Sequence, residues 1–251
     1  MTQLDFQNAW AVASKDFETF KTRKGIIYAT IAFPLGIALG FPGILAAIAY
    51  AYPSTTSATA ASFSPFLNAF SFWFVIGAAT LPSGIASYSI AGEKIQKSLE
   101  PLLATPMTDS EILLGKCVAS FVPPIASIWL SSVLYMVLMD ALTRPWLRFL
   151  YYPNWSFGAM VLLLAPLASI LTIELTVLLS ARANDIRSVQ QFTGILFFPF
   201  IVIYVMTEIG VIQLDVIDLL ILSGIFLAAD ILLFYLSTAT FKREEILTKW
   251  K

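Results

Sequence analysis

Two carboxylates are the side chains of this sequence best placed to do chemistry, because both lie in long apolar stretches. Glu174 follows the uncharged run 149–173, and Asp230 lies near the middle of the run 219–241. A charged group at the centre of a bilayer costs about 2.5–3.5 kcal/mol, so such groups usually face a helix bundle or a cavity. We expect Glu174 and Asp230 to line a cavity or an ion pathway, or to hold helices together. The alternative for each is a protonated carboxyl group bonded to a neighbouring helix.

Most other catalytic chemistry lacks its residues. The chain has no histidine and a single cysteine, Cys117, which excludes imidazole relays, His-based zinc sites and an intramolecular disulfide. There is no G-x-x-x-x-G-K-[ST] phosphate loop, so ATP is not bound by that route. The net charge of -1 gives no support to a nucleic-acid partner. We therefore predict no catalytic residue, no metal ligand and no cofactor in this chain.

The composition indicates an all-α polytopic membrane protein. Of the 251 residues 58% are apolar and only 12% are charged, whereas about a quarter of a soluble domain is charged. A helix needs roughly 20 apolar residues to cross the hydrocarbon of a bilayer. The uncharged runs predict six transmembrane helices, with spans or span cores at 25–51, 66–91, 117–139, 149–173, 188–207 and 219–241.

The basic residues predict the orientation, because Lys and Arg next to spans stay in the cytoplasm. Thirteen of the 15 basic residues fall on the same side as both termini. We expect a multi-pass protein of the plasma membrane with cytoplasmic termini. It divides into an N-terminal segment 1–24, a six-helix domain 25–241 with a cytoplasmic loop 92–111, and a tail 242–251. On the outer face, the aromatic residues within 143–158 predict an interfacial helix.

The segment 1–24 has the pattern of an amphipathic helix. Its apolar residues recur at three- and four-residue steps: Phe6, Trp10, Ala13, Phe17 and Phe20. This stripe predicts a helix that lies in the cytoplasmic interface with its apolar face against lipid. The alternative is a cytosolic helix that packs on a partner.

The most specific stretch is the loop after the second span, residues 92–116, GEKIQKSLEPLLATPMTDSEILLGK. Four apolar residues at helical spacing predict a short amphipathic helix that a partner groove could grip: Ile95, Leu99, Leu102 and Leu103. Pro101 disfavours helix at Glu100, so we expect a kink or two short pieces. Thr108 and Glu111 form a capping-box pattern that starts the third span.

This loop resembles the one that joins the second and third spans in permease subunits of ABC transporters of the type-2, exporter-like class. The family pattern is E-[RK]-x-x-G-[TS]-x-E-x-L-L-x-[TS]-P, followed by an acidic-apolar step and Gly-Lys. The sequence matches it at Glu93, Lys94, Ser98, Glu100, Leu102, Leu103, Thr105, Pro106, Glu111, Ile112, Leu113, Gly115 and Lys116. It departs at Lys97, where the family often has Gly, and at Pro101.

The resemblance implies a transport role. Family members pair two permease chains, here expected as a homodimer, with two separate ATPase chains that bind ATP and Mg²⁺. It implies that residues 93–106 are the coupling helix that sits in a groove of the ATPase, with contacts from Glu93, Lys94, Ile95, Lys97, Leu99, Glu100, Leu102, Leu103, Thr105 and Pro106. We lean towards a hydrophobic or amphipathic substrate. The alternative function is an ATP-independent, ion-coupled carrier or channel in which Glu174 and Asp230 are the coupling groups.

Overall fold

The computed structural model of the chain describes residues 6–51, 60–92, 105, 107–182, 186–195, 197–212 and 214–240. Within these ranges most residues are helical and there is no β-strand. The α-helices are α1 Phe6–Thr22, α2 Lys24–Ala51, α3 Ala60–Ser87, α4 Asp109–Leu147, α5 Trp155–Ala159, α6 Ala165–Arg182, α7 Ile186–Gly194, α8 Phe197–Glu208 and α9 Val216–Thr240. A π-helical turn, Tyr88–Gly92, follows α3, and a second one, Met160–Leu164, joins α5 to α6.

The described residues contain six helical stretches that are long and apolar enough to cross a membrane. They are Lys24–Ile48, Leu67–Ser87, Ser110–Pro145, Trp155–Ser180, Arg187–Glu208 and Val216–Ser237, and we number them as spans one to six. The predicted fold class, an all-α polytopic membrane protein with six transmembrane helices, is confirmed. Helix α3 ends and α4 begins at the same end of the bundle. We call this end "the α1 end", because α1 packs there.

The third span is much longer than its predicted core, 117–139. Helix α4 has 39 residues, which gives a length of about 58 Å at 1.5 Å per residue. The prediction stopped at Lys116 and Asp140 because they are charged, but both have partners inside the fold. Lys116 is buried and hydrogen-bonded. Asp140 Oδ1 accepts hydrogen bonds of 2.9 Å from the backbone N–H groups of Tyr151 and Tyr152.

The core of the bundle forms where α6 packs on α3. The Ser169 hydroxyl donates to the carbonyl oxygen of Ala78 at 2.9 Å, and the Thr172 hydroxyl donates to that of Ala79 at 2.7 Å. Both hydroxyl side chains are completely buried. Small residues let two membrane helices approach closely and bond across the contact. Spans two and four are therefore fixed to each other near their centres.

The aromatic stretch at the opposite end does not form the predicted interfacial helix. After α4 ends, residues 148–154 are non-helical until α5 begins at Trp155. Tyr152 points into the bundle, where its hydroxyl donates to the carbonyl oxygen of Leu67 at 3.0 Å. Its ring lies 4.9 Å from that of Phe157. The prediction was wrong because Tyr152 and Phe157 are buried inside the protein and 148–154 is not helical.

Candidate functional site

The start of α4 is fixed by side-chain bonds directly after the segment 93–106. Glu111 Oε2 accepts from the backbone N–H of Thr108 at 2.8 Å, and the Thr108 hydroxyl accepts from that of Glu111 at 3.3 Å. The predicted capping box is thus confirmed. Asn8 Nδ2 on α1 donates to the same glutamate oxygen at 3.4 Å. Helix α1 therefore contacts the first turn of the third span.

Gly115 allows α1 to lie directly against α4. A Cβ atom at this position would be 2.5 Å from the carbonyl oxygen of Ala9 and 2.7 Å from Cβ of Val12. Both separations are well below van der Waals contact, and the first atom belongs to the backbone. Only glycine permits this close approach of the two helices.

Lys116 joins three helical segments at the α1 end. Its Nζ donates to the carbonyl oxygen of Ser89 at 2.6 Å and to the Ser89 hydroxyl at 3.3 Å. The Ser89 hydroxyl donates to Asp16 Oδ2 at 2.6 Å, and this carboxylate lies 3.6 Å from Lys116 Nζ. The Lys116 side chain is 1% exposed and that of Asp16 10%. We call Asp16, Ser89 and Lys116 the junction, because they link α1, the π turn after α3, and α4.

The aromatic stripe of α1 divides between two environments. Phe6 and Trp10 are exposed, the latter by 60%, whereas Ala13 is completely buried. The prediction that Ala13 shares a lipid-facing stripe was therefore wrong, since α1 uses its small residues to pack on α4. Arg23, just after α1, lies over the ring of Tyr88 in the π turn, 4.3 Å from its centroid. Helix α1 is thus a packed part of the bundle that leaves Phe6 and Trp10 exposed, whereas Phe17 and Phe20 are half-buried.

The predicted coupling residues fall almost entirely outside the described part of the chain. Thr105 is described, as a half-buried residue in a bend. The other nine lie outside the described residues: Glu93, Lys94, Ile95, Lys97, Leu99, Glu100, Leu102, Leu103 and Pro106. What the structure gives is the two anchors of this segment, the π turn before it and the capped start of α4 after it. The junction ties these two anchors together.

Glu174 on α6 and Asp230 on α9 are both buried, with exposures of 6% and 5%. The two helices that carry them pack on each other. Within the described residues, Glu174 Oε2 and both oxygens of Asp230 are buried without a hydrogen-bond partner. A buried polar atom without a partner is costly, so these groups call for a ligand, a proton or water. The structure thus places the two predicted intramembrane carboxylates on adjacent helices.

Sequence reasoning missed Asp16 and Ser89. The available signal was Lys116, a cation at the edge of an apolar run that the structure places inside a helix. A buried cation requires an acidic or carbonyl partner. Asp16 lies 100 residues away along the chain, so the spacing of the residues could not identify it.

No protein-family model matches the sequence, and no curated protein matches it. What is established is the class: a multi-pass, all-α membrane protein.

Proposed function

We propose that this chain is the membrane-spanning permease subunit of an ATP-driven ABC exporter. Two permease chains form the pathway, and a separate ATPase binds each through residues 93–106. The sequence support is the loop motif from Glu93 to Lys116. The proposal includes a plasma-membrane location with the α1 end in the cytoplasm, for which the support is that 13 of the 15 basic residues fall on that side.

The observation that carries the proposal is the junction. A loop that receives force from a partner needs both of its ends fixed to the spans that must move. Ser89 lies four residues before the segment 93–106, and Lys116 bonds to it from the second turn of the span that follows. A displacement of the loop would therefore move spans two and three together, and α1 with them.

The experiment that tests the proposal is purification of the tagged chain from its native membrane in mild detergent, with identification of every bound protein. We expect an ATPase with phosphate-loop motifs to co-purify with the wild type. It should be lost when Glu93, Leu99 and Leu103 are changed to Ala. A differently tagged second copy of the chain should co-purify with both, because the permease pair forms through the spans.

A matched control changes three exposed apolar residues at the opposite end, Phe149, Leu150 and Ile209, to Ala. This variant should retain the ATPase. If no ATPase binds the wild type with or without nucleotide, the exporter proposal is wrong. The buried pair Glu174 and Asp230 favours the second candidate, an ion-coupled carrier or channel that works without ATP.

A further inference from the structure

A pocket of about 240 Å³ opens between spans three, four and six. Its walls are apolar and include Phe121 on α4, Ile173 on α6 and Phe234 on α9. Glu174 is the one charged residue among the described residues that line it. The volume is slightly below the roughly 300–1,000 Å³ of pockets for drug-sized ligands. The pocket therefore suits a small ligand with an apolar body.

The carboxyl group in this pocket lacks a positive partner among the described residues. Glu174 Oε2 is buried without a hydrogen bond, and on the adjacent helix both carboxyl oxygens of Asp230 are also without one. Lys116 lies one residue before the pocket residue Cys117, but it is held by Ser89 and Asp16. A positive donor that enters the pocket would satisfy the buried oxygen of Glu174.

We infer that this pocket binds a small amphipathic organic cation, with an ammonium group on Glu174 and an apolar body against Phe121, Ile173 and Phe234. The ammonium group supplies hydrogen-bond donors and the positive partner that is missing at Glu174. The apolar walls favour burial of the apolar body of the ligand. A metal ion fits less well. Hard cations take six or more oxygen ligands, whereas Glu174 is the one carboxyl group among the described residues that line the pocket. A lipid acyl chain would leave the carboxyl group unpaired.

The binding inference stands without an ATPase, whereas the step from bound ligand to transported cargo rests on the proposed function. The test therefore uses the full chain alone, purified and placed in nanodiscs of phosphatidylcholine. The probe is radiolabelled phenylbutylamine, and its neutral analogue phenylbutanol is the competitor. We expect saturable binding of the amine that phenylbutanol does not displace.

Glu174→Gln should weaken binding of the amine by about 10- to 100-fold, the effect of removing one hydrogen bond to a charged group. Val118→Trp fills the pocket from α4 without changing the carboxyl group, and it should abolish binding. This second variant keeps the test valid if Glu174→Gln folds poorly. Glu208→Gln removes a carboxyl group on α8, away from this pocket, and should bind like the wild type.

Binding of the amine that does not saturate, or equal binding by wild type and Glu174→Gln, would overturn the inference. A proton or water would then satisfy Glu174. Equal competition by phenylbutanol would show an apolar pocket without the cation site, which also overturns it. Loss of the ATPase partner in the purification experiment would leave these binding results unchanged. The two proposals can therefore fail separately.

Discussion

Removal of the negative charge from the junction should destabilise the whole α1 end. In Asp16→Asn the Lys116 ammonium group stays buried at 1% exposure and loses the carboxylate 3.6 Å away. Loss of one partner from a buried ion pair costs about 3–5 kcal/mol. Lys116 keeps its 2.6 Å bond to the carbonyl oxygen of Ser89, so we expect about 3 kcal/mol, the lower limit of that range.

The reverse change separates this pair from a general loss of packing. Lys116→Met keeps an apolar stem and removes the charge, and Asp16 keeps its 2.6 Å bond from the Ser89 hydroxyl. The single variant should cost less than Asp16→Asn. The double variant should be more stable than the sum of the two changes predicts, with a coupling energy of about 2 kcal/mol. The assay is equilibrium unfolding of the purified chain in mild detergent.

The matched control is the exposed pair on the same helix, Glu18 and Lys21. Their charged atoms lie 2.6 Å apart, closer than those of the junction, but their side chains are 73% and 67% exposed. Lys21→Met should therefore cost no more than about 0.5 kcal/mol. The reasoning is refuted if Asp16→Asn costs as little as Lys21→Met, or if the effects of Asp16→Asn and Lys116→Met simply add.

Two further changes test the close approach of α1 and the burial of the loop after α4. Gly115→Ala should destabilise the chain by about 1–3 kcal/mol in the same unfolding assay, because the added Cβ meets the backbone of α1. The control Gly84→Ala, where the added Cβ meets open space, should be tolerated. Equal effects of the two changes would contradict the close packing of α1 on α4. Burial raises the pKa of Tyr151 to about 12 in the folded chain, whereas a tyrosine in an unfolded chain has a pKa of about 10. The buried neutral phenol therefore contributes fully to stability below pH of about 10, and this contribution is lost as the pH rises towards 12. Tyr151→Phe should reduce the alkaline loss of stability, whereas Tyr50→Phe, at an exposed position, should not; an unchanged pH profile for Tyr151→Phe would refute this role.

The membrane fold could be predicted because its main signal is local. An uncharged run of sufficient length predicts a span wherever it lies, and each of the six runs overlaps a helical stretch. The helix before the first span was equally readable from Phe6 to Phe20, since its periodicity lies within 15 residues. The bounds failed where a charge was treated as an end. Lys116 and Asp140 lie inside α4 because Ser89 and the loop after α4 supply their partners.

The candidate sites depend on contacts between distant parts of the chain, and the sequence does not encode such pairings in any local pattern. Glu174 was conspicuous as a charge beside an apolar run, but the packing of its helix α6 on α9, which carries Asp230, could not be predicted from either run. Asp16 was inconspicuous because acidic residues on an amphipathic helix are ordinarily solvated. In the sequence Gly115 is only one position of a motif. The close approach of the α1 backbone to it is visible only in the fold.

The geometry of the junction suggests why a π turn lies immediately before the loop. A π turn inserts one extra residue into a helix, and such turns often occur at functional sites. Here Tyr88–Gly92 brings the Ser89 carbonyl oxygen to Lys116, and Arg23 covers Tyr88 from the α1 side. The segment 93–106 is thus attached to two spans that cannot separate at this end without exposing a buried ammonium group. In the proposed exporter, force on the loop would tilt spans two and three as one body, and α6, bonded to α3 through Ser169 and Thr172, would carry Glu174 with them.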